Sequence, residues 1–348
     1  MSAYVLLWVG VIVACLAISQ YDRVINYMYL KAVFLALVLM IGFRHHVGGD
    51  WGNYQAIYDG LTHANWQQAM VATEPGYGLI NWLAHQFGFT VHFVNFCCAL
   101  IFVWGLSRLC LSQPQPWFAL LISIPYLVSA VAMGYTRQSA AIGLMMVGLT
   151  VLIEHKPWQF FFLIFCAALF HKSAVVALML IPLALPQLRL GKLFLIGVFV
   201  SSVGLFLVMD RLGGMWDLYV TQGMESDGGL VRVLLNSFPA IFFLIFRDKW
   251  RQRWPKTYSL VLWLSIAALV LLPLQFIAST AVDRLSLYII PLQLLVLSQL
   301  PLFFTGTVKY LVLFGVICFY SAVYLVWLNF SDWAQCCWIP YDNILLSP

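Results

Sequence analysis

The sequence predicts an all-α polytopic membrane protein with about 12 transmembrane helices. Of its 348 residues, 63% are apolar and only 9% are charged, and the mean hydropathy is +0.91. Soluble domains contain about 25% charged residues, so much of this apolar surface must contact lipid. The apolar runs are continuous and do not alternate with polar residues, which favours helices over a transmembrane β-barrel.

Apolar runs of sufficient length to cross the hydrocarbon, with local thinning for the shorter ones, define the individual helices. We predict spans near residues 3–19, 28–43, 93–110, 116–134, 137–153, 157–170, 172–186, 193–210, 231–246, 257–277, 284–304 and 309–328. The first run has no basic start and no small-residue cleavage site, so we expect a span there instead of a signal peptide. Residues 76–87 are apolar but short, which predicts a re-entrant or interfacial helix.

The distribution of charge predicts the orientation. The densest basic cluster runs from Arg247 to Lys256, and we place it in the cytoplasm because basic loops are retained there. Most lysines and arginines then lie inside, most acids lie outside, and both chain ends are outside. The chain is predicted to form one transmembrane domain, 1–348. It has a first outer loop at 44–92 with short helices, a second outer loop at 211–231 and an outer tail at 329–348.

Some positive charges do not follow this rule, and they are predicted to hold an anion. Four of the outer cations stand at the beginning or end of a span: Arg44, Arg137, Lys172 and Arg284. Most of the histidines also lie outside. Guanidinium groups match phosphate oxygens bidentately, so several arginines on one face indicate a lipid-linked pyrophosphate.

The most polar of the sequence stretches that contain these cations is Arg44–Tyr54, which follows the apolar run of residues 30–43. It contains a cation, two imidazoles, paired glycines, the carboxylate of Asp50 and the aromatic rings of Trp51 and Tyr54. We predict one wall of an active site on the outer face. Two simpler interpretations stay open, a salt bridge between Arg44 and Asp50 and a tight turn at the glycines.

Three further stretches lie on the same side. Arg137 and Gln138 begin a helix, where free backbone N–H groups favour an anion; the simpler alternative is an arginine that extends toward water. His171 and Lys172 separate two apolar runs, and His171 is either a base, a phosphate donor or a satisfied core residue. Arg284 and Tyr288 are four residues apart on one helix face, and Asp283 could neutralise Arg284.

Two interpretations explain the aromatic residues of the outer loops equally well: they bind a sugar, or they anchor the protein at the membrane interface. Trp51, Tyr54 and Tyr77 lie among carboxylates and amides, as in sites where sugars stack on rings. Tryptophan and tyrosine also accumulate at membrane interfaces without any ligand. The sequence has no nucleotide loop and no zinc or acidic metal motif, so we predict neither a cofactor nor a metal, and the net charge of +5 needs no nucleic acid. The adjacent Cys336 and Cys337 could be oxidised or could bind a metal, but no histidine or cysteine stands at zinc-ligand spacing from them, so we expect an inert pair.

These motifs, taken together, resemble the EpsG-type, Wzy-like polysaccharide polymerases of bacterial inner membranes. The matching pieces are, in order, Arg44…Gly48…Asp50…Tyr54, Glu74-Pro75-Gly76-Tyr77, Arg137-Gln138, Phe170-His171-Lys172-Ser173, Asp283-Arg284…Tyr288 and Ile339-Pro340-Tyr341. Each piece is short, and they cover nearly the whole chain.

The resemblance implies a GT-C-like architecture and a polymerase that joins oligosaccharide repeat units carried on undecaprenyl pyrophosphate at the periplasmic face. The substrates and the surrounding lipid would then be the partners, with a chain-length regulator protein as a further one. A lipid-linked glycan flippase is the alternative from another class, although its polar residues would open to both faces. An O-antigen ligase is a closer alternative, which differs in its acceptor.

For this reaction we predict the following roles. Arg137 and Arg284 stabilise the leaving pyrophosphate, Arg44 either assists them or positions the acceptor, and Lys172 is a further pyrophosphate-binding residue. Asp50 is the first choice as the base for the acceptor hydroxyl, and His171 and Glu74 are the alternatives. Predicted substrate contacts come from Tyr54, Gln138, Tyr288, Trp51 and Tyr77.

Overall fold

The computed structural model of the protein describes residues 1–18, 22–184 and 228–346, and within these ranges helices joined by short loops make up the chain. No strand occurs within them, and only an isolated bridge joins Arg44 to Asn343. The predicted all-α class is confirmed. The predicted span at 193–210 and most of the predicted loop at 211–231 lie outside the described residues.

The helices follow one another with short connections. In chain order they are α1 (Ser2–Ala17), α2 (Arg23–Gly42), α3 (Trp51–Gly60), α4 (Trp66–Ala72), α5 (Pro75–Gln86), α6 (Val91–Leu111), α7 (Pro116–Ser123) with a π-helix (Ile124–Ala132), α8 (Thr136–Ile153), α9 (Pro157–Ala168), a 3-10 helix (Lys172–Met179) with α10 (Leu180–Ala184), α11 (Gly229–Ile245), α12 (Arg247–Arg253), α13 (Pro255–Leu274), α14 (Ser279–Ser286), α15 (Pro291–Leu297) with a 3-10 turn (Leu300–Phe303), α16 (Gly306–Phe330) and α17 (Asp332–Cys337).

Five helices in the described ranges are long and apolar enough to cross a membrane, and seven spans result if two bent helix pairs each count as one. Four shorter apolar helices accompany them: Ser2–Ala17, Pro116–Ala132, Pro157–Ala168 and Lys172–Ala184. The chain is therefore a multi-pass membrane protein. The number of about 12 spans and the GT-C-like architecture stay predictions. The short apolar stretch at 76–87 is indeed helical, as α5.

Helix α8 forms the centre of the bundle, and 83% of its residues are buried. It crosses α6 closely because small residues meet at the crossing. A Cβ atom added to Gly105 would lie 1.9 Å from the carbonyl oxygen of Gly143. Glycine at such a crossing allows two backbones to approach without a side chain between them. The tight crossing fixes the first turn of α8, which contains Arg137.

The chain bends between α14 and α15, near polar residues. Helices α14 and α15 meet at 52°, and residues 287–290 between them include Tyr288. A buried chain of hydrogen bonds holds this bend: Tyr320 Oη donates to Gln293 Oε1 at 2.6 Å, and Gln293 Nε2 donates to Asn236 Oδ1 at 2.7 Å. Asn236 Nδ2 then donates to the Ser286 carbonyl oxygen at 2.8 Å. Such bonds between helices orient neighbouring membrane segments.

The two ends of the helix bundle contain different sets of charged residues. The predicted site residues gather where α8 begins, since Arg44 contacts Thr136 and Gln138 contacts the Arg284 backbone. At the far end of α8, about 27 Å away by helix rise, Glu154 pairs with Lys156 and lies within electrostatic range of Lys256. The predicted site thus lies at the opposite end of the bundle from basic residues that we predict to be cytoplasmic.

The C-terminal tail, residues 332–346, folds back onto the loop that follows α2. The Gly48 N–H donates to the Cys337 carbonyl oxygen at 2.7 Å, and the His45 N–H donates to the Asp342 carbonyl oxygen at 3.1 Å. Trp338 donates through Nε1 to the Ser129 carbonyl oxygen at 2.8 Å. Cys336 and Cys337 form a disulfide, so the expectation of an inert pair was wrong. The tail therefore fixes one wall of the candidate site.

Candidate active site

Arg44 lies inside the protein, beneath the loop it begins. It is 1% exposed. Its Nη1 donates to the Ile41 carbonyl oxygen at 2.5 Å, Nε donates to that of Val47 at 3.2 Å, and Nη2 donates to Thr136 Oγ1 at 2.6 Å. Burial lowers the pKa of Arg44, opposed by nearby tyrosines such as Tyr54. Arg44 thus joins the end of α2 to the start of α8, and its direct contact with a substrate stays a prediction.

The Arg44 loop turns at Gly48, which only glycine can occupy without strain. Its φ is +105°, and an added Cβ would lie 2.2 Å from the Met133 carbonyl oxygen. That atom belongs to backbone, which cannot move aside as a side chain can. The loop therefore depends on glycine here both for its conformation and for its close approach to the backbone between the π-helix and α8.

We expect Gly48→Ala to destabilise the protein and to abolish activity, because it imposes both a backbone clash and an unfavourable φ. Gly52→Ala is the matched control, since Gly52 lies in α3 with open space around it. Alanine there should leave activity intact and raise helix stability by about 0.5–1 kcal/mol. Thermal unfolding in detergent measures both variants. A stable, active Gly48→Ala protein would show that the loop conformation is unimportant.

Arg137 forms the centre of the polar site. Its Nη1 donates to Glu74 Oε2 at 2.5 Å and to Thr73 Oγ1 at 3.2 Å. The guanidinium carbon lies 5.8 Å from the Tyr54 ring centroid and 5.9 Å from that of Tyr77. The side chain is 30% exposed, so one edge faces the surroundings while aromatic rings and a carboxylate hold the rest. A guanidinium oriented in this way can bind a second anion.

Helices α5 and α9 together place Glu74 beside Arg137. Glu74 precedes α5, and Pro75 begins that helix, where its missing N–H costs nothing. The Gly76 N–H donates to the Leu169 carbonyl oxygen at 2.8 Å, which ties the start of α5 to the end of α9. Burial has the largest single effect and favours a higher pKa for Glu74, but the charge and hydrogen bond of Arg137, together with a backbone hydrogen bond and His171, outweigh it, so the pKa is lowered. The carboxylate is therefore ionised at neutral pH.

His171 connects this pair with α14. Its Nδ1 lies 2.6 Å from Ser173 Oγ and 3.2 Å from Tyr288 Oη, and Ser173 Oγ also donates to Tyr288 Oη at 3.2 Å. Burial lowers the pKa of His171 to about 4, against the opposing charge of Glu74 and with the help of Arg137 and Arg284. The imidazole is neutral at pH 7 and can accept a proton.

Arg284 lies on the exposed side of α14, within electrostatic range of His171. Gln138 Nε2 donates to the Arg284 carbonyl oxygen at 3.1 Å, which joins α8 to α14. The neighbouring Asp283 forms a two-point ion pair with Arg232 of α11, one contact of which measures 2.7 Å. The simpler interpretation of Asp283 as a partner for Arg284 missed this second arginine.

The loop residues Asp50 and Trp51 occupy different surroundings. Asp50 accepts a hydrogen bond from Asn53 Nδ2 at 3.2 Å, and its charge acts on Tyr54 and on Tyr135. It is half-buried at the start of α3. Trp51 is buried, and its ring packs against the imidazoles of His45, His46 and His92. The predicted salt bridge between Arg44 and Asp50 is replaced by the backbone contacts of Arg44.

Most of the predicted site residues therefore meet at one end of the bundle. Hydrogen bonds or electrostatic contacts link Glu74, Arg137, His171, Arg284 and Tyr288 into one cluster. We call it the "cation site" after the cationic side chains of Arg137 and Arg284 that it contains. Tyr54, Tyr77 and Gln138 pack around it, and Lys172 lies half-buried beside His171. Arg44 is beneath the cluster, and Trp51 is turned toward the histidines.

Sequence reasoning missed two residues that support the cation site. Ser173 stands in a motif with His171, but only the structure places its hydroxyl between the imidazole and Tyr288. Arg232 lies in α11, and its partner Asp283 is 51 residues away in the chain. The described part of the chain contains no cluster of three or more His, Cys, Asp or Glu side chains arranged for a metal ion.

Comparison with known proteins assigns the chain to a family. The family model described as the EpsG family matches residues 27–343, nearly the whole chain. No curated protein matches the chain, and no solved structure does. All members of the cation site lie within the matched region.

Proposed function

The chain belongs to the EpsG family, and from that premise we propose that it polymerises oligosaccharide repeat units carried on undecaprenyl pyrophosphate. The observation that supports this reaction best is the position of His171, a neutral imidazole near two arginines, Arg137 and Arg284. A glycosyl transfer from a lipid pyrophosphate needs a proton acceptor and stabilisation of a departing anion. The cation site contains candidates for both.

In the proposed reaction the acceptor hydroxyl oxygen attacks the anomeric carbon of the donor glycan. The bond from that carbon to the pyrophosphate oxygen breaks, and the lipid pyrophosphate leaves with the electron pair. The hydroxyl proton passes to a base, and a new glycosidic bond joins the two units. Each cycle thus releases one lipid pyrophosphate and lengthens the glycan by one unit. No metal or cofactor enters this scheme.

The two arginines are proposed to stabilise the leaving pyrophosphate. Arg137 presents a partly exposed guanidinium held by Glu74, and Arg284 lies exposed at the end of α14. Charge that develops on the leaving oxygens is neutralised by donors already in place, which lowers the barrier without reorganisation. Lys172 adds a third positive charge beside His171. Arg44, Gln138 and the Asp283–Arg232 pair position the helices that hold these cations.

His171 is the base that the geometry favours. Glu74 is paired with Arg137, so proton transfer to it would weaken that ion pair. His171 is neutral at pH 7 chiefly because it is buried, and a pyrophosphate bound at the arginines would offset the smaller part of the pKa lowering that the charges of Arg137 and Arg284 cause. Substrate binding would thereby move the pKa of His171 toward the range in which a general base is effective. Asp50 stays the alternative base.

We expect His171→Ala to lower the polymerisation rate by about a hundredfold to ten-thousandfold, and Asp50→Asn to have a much smaller effect. The pH profile is a second measurement. In the free protein His171 loses its proton near pH 4, whereas with substrate bound this step moves to higher pH. The acid limb of kcat should therefore lie above that of kcat/KM. The reverse ranking of the two variants would identify Asp50 as the base.

Reconstitution separates a polymerase from a flippase. Purified protein in detergent with lipid-linked repeat units should lengthen the glycans although no bilayer separates two compartments. A flippase would leave their length unchanged and would move them across vesicle membranes. The grouping of the cation site at one end of α8 favours the enzyme, because a flippase needs polar residues accessible from both faces.

The same assay distinguishes an O-antigen ligase, which differs in its acceptor. A ligase would transfer the glycan to a lipid A core and would not extend a second repeat unit. We propose the bacterial inner membrane as the location, with the cation site and both chain ends facing the periplasm, as the charge distribution predicts. A chain-length regulator protein is a proposed partner, tested by whether its addition changes the polymer length distribution.

A further inference from the structure

A groove of about 440 Å³ opens beside the loop that follows α2. We call it the aromatic groove, and its lining residues are Phe43, Phe89, Thr90, His92, Phe93, Phe96, Ile344 and Leu345. Two ring pairs shape it: Phe43 packs on Phe96 with centroids 5.2 Å apart, and Phe89 stacks on Phe93 at 4.5 Å. Its volume falls within the range of about 300–1,000 Å³ typical of ligand sites.

The groove has a polar end. His92 lines the groove and is 8% exposed, and its Nε2 lies 3.1 Å from Nδ1 of His45. The His45 ring packs in turn on that of His46, with centroids 4.2 Å apart, and Trp51 contacts all three. We call these four residues the imidazole cluster. Both ring nitrogens of His92 are hydrogen-bonded, Nε2 to His45 and Nδ1 to Thr90 Oγ1 at 3.1 Å, so a ligand head at this end would meet the rings of His45 and His46. A cavity with apolar walls and imidazoles beyond one end is complementary to an amphiphile.

The backbone also distinguishes this end. His46 adopts φ +51° and its side chain is exposed. A left-handed conformation is unfavourable for most residues and occurs preferentially at ligand sites. The tail contributes as well, because the Ile344 N–H donates to the Phe43 carbonyl oxygen at 3.0 Å and so holds Ile344 and Leu345 against the groove.

The imidazole cluster and the cation site are both contacted by side chains of the same short helix. Trp51 begins α3 and packs on the imidazoles, and Tyr54, three residues later, packs on Tyr77 and faces Arg137. Positions three residues apart are neighbours on a helix surface, so an amphiphile with its head at the imidazole cluster would lie beside the proposed leaving-group site.

We propose that the aromatic groove binds the hydrocarbon chain of the second lipid-linked substrate, the acceptor, and that the imidazole cluster binds its phosphate head. This inference rests on the proposed function, since only a reaction between two lipid-linked units needs two lipid sites. The cation site takes the pyrophosphate that leaves, so the acceptor needs a separate seat. The groove supplies an apolar one at the ends of α2 and α6, two helices long enough to cross a membrane.

Photolabelling tests the site without relying on catalysis. The protein is placed in phosphatidylcholine vesicles with a trace of polyprenyl pyrophosphate bearing a diazirine on its chain, and labelled peptides are identified after illumination. We expect labelling within 89–96 and at 344–345, and at least a fivefold reduction by excess unlabelled polyprenyl pyrophosphate. Phe314, which is 64% exposed on α16, is the control: its labelling should resist that competitor.

Two variants test the site, one for the aromatic groove and one for the imidazole cluster. Leu345→Trp fills the groove from an exposed tail position, and His46→Asn removes an imidazole while keeping a residue that tolerates φ +51°. Each should lower the competable labelling severalfold. Labelling that matches Phe314, or that excess phosphatidylcholine removes equally, overturns the proposal and identifies ordinary bilayer lipid. If labelling is competable but purified protein never lengthens glycans, the proposed function fails and the lipid site stands.

Discussion

Replacing Arg137 with alanine is expected to lower the polymerisation rate by about a hundredfold or more, because it removes one of two guanidinium groups proposed to stabilise the leaving pyrophosphate. The variant also leaves Glu74 without its partner, so the charge near His171 becomes more negative. The pKa of His171 should rise as a result. Polymer length on gels at matched protein levels measures the effect, together with release of lipid pyrophosphate.

Controls separate this effect from the loss of an ion pair. Arg137→Lys keeps the charge but loses the planar fork, so its rate should lie between those of the wild type and the alanine variant. Lys156→Ala removes an ion pair of the same length, 2.5 Å to Glu154, at the opposite end of α8. It should polymerise normally. Wild-type ladders from Arg137→Ala would refute the proposed role of this residue.

Replacing Arg44 with alanine is expected to destabilise the folded protein by about 3 kcal/mol or more. The substitution leaves buried acceptors at Ile41, Val47 and Thr136 without a donor, at about 1–3 kcal/mol each, and also opens a cavity. The connection between α2 and α8 would be lost, and activity with it. Thermal unfolding in detergent measures the change.

The comparison with Arg137 is informative because the two arginines differ in burial. Arg44→Ala should lower stability more than Arg137→Ala does, because Arg44 is 1% exposed and the Arg137 side chain is 30% exposed. Arg137→Ala should lower activity by more than its loss of stability explains. Arg247→Ala, whose side chain is 59% exposed, serves as the surface control and should change stability by less than about 0.5 kcal/mol. A stable Arg44→Ala protein that cannot polymerise would instead indicate that Arg44 binds the substrate directly.

Charge and hydropathy were sufficient to predict the all-helical membrane class and most members of the candidate site. Arg137, His171 and Arg284 each stand beside an apolar run, and positive charge at such positions is uncommon on the outer side. Because apolar runs alternate direction across a membrane, residues at alternate helix ends meet on one face. This logic brings together stretches that are more than a hundred residues apart without any knowledge of packing.

The rotation of side chains about each helix could not be predicted in the same way. Arg44 points beneath its loop because the end of α2 and the Val47 carbonyl group need a donor there. Asp283 reaches Arg232 because α11 packs beside α14, which no local pattern in the sequence indicates. The type of helix around Ser173 could not be predicted either, because the apolar run that follows α9 begins as a 3-10 helix and continues as α10.

The most direct test of the leaving-group role uses purified protein, a radiolabelled donor and an unlabelled acceptor, both lipid-linked repeat units. The quantity measured is lipid pyrophosphate released per glycosidic bond formed. Wild-type protein should release one per bond, and an Arg137→Ala/Arg284→Ala double variant should form neither product at a measurable rate while remaining folded, as a cooperative thermal unfolding transition shows. A double variant that forms both products at the wild-type rate would contradict the assignment of these arginines to the leaving pyrophosphate.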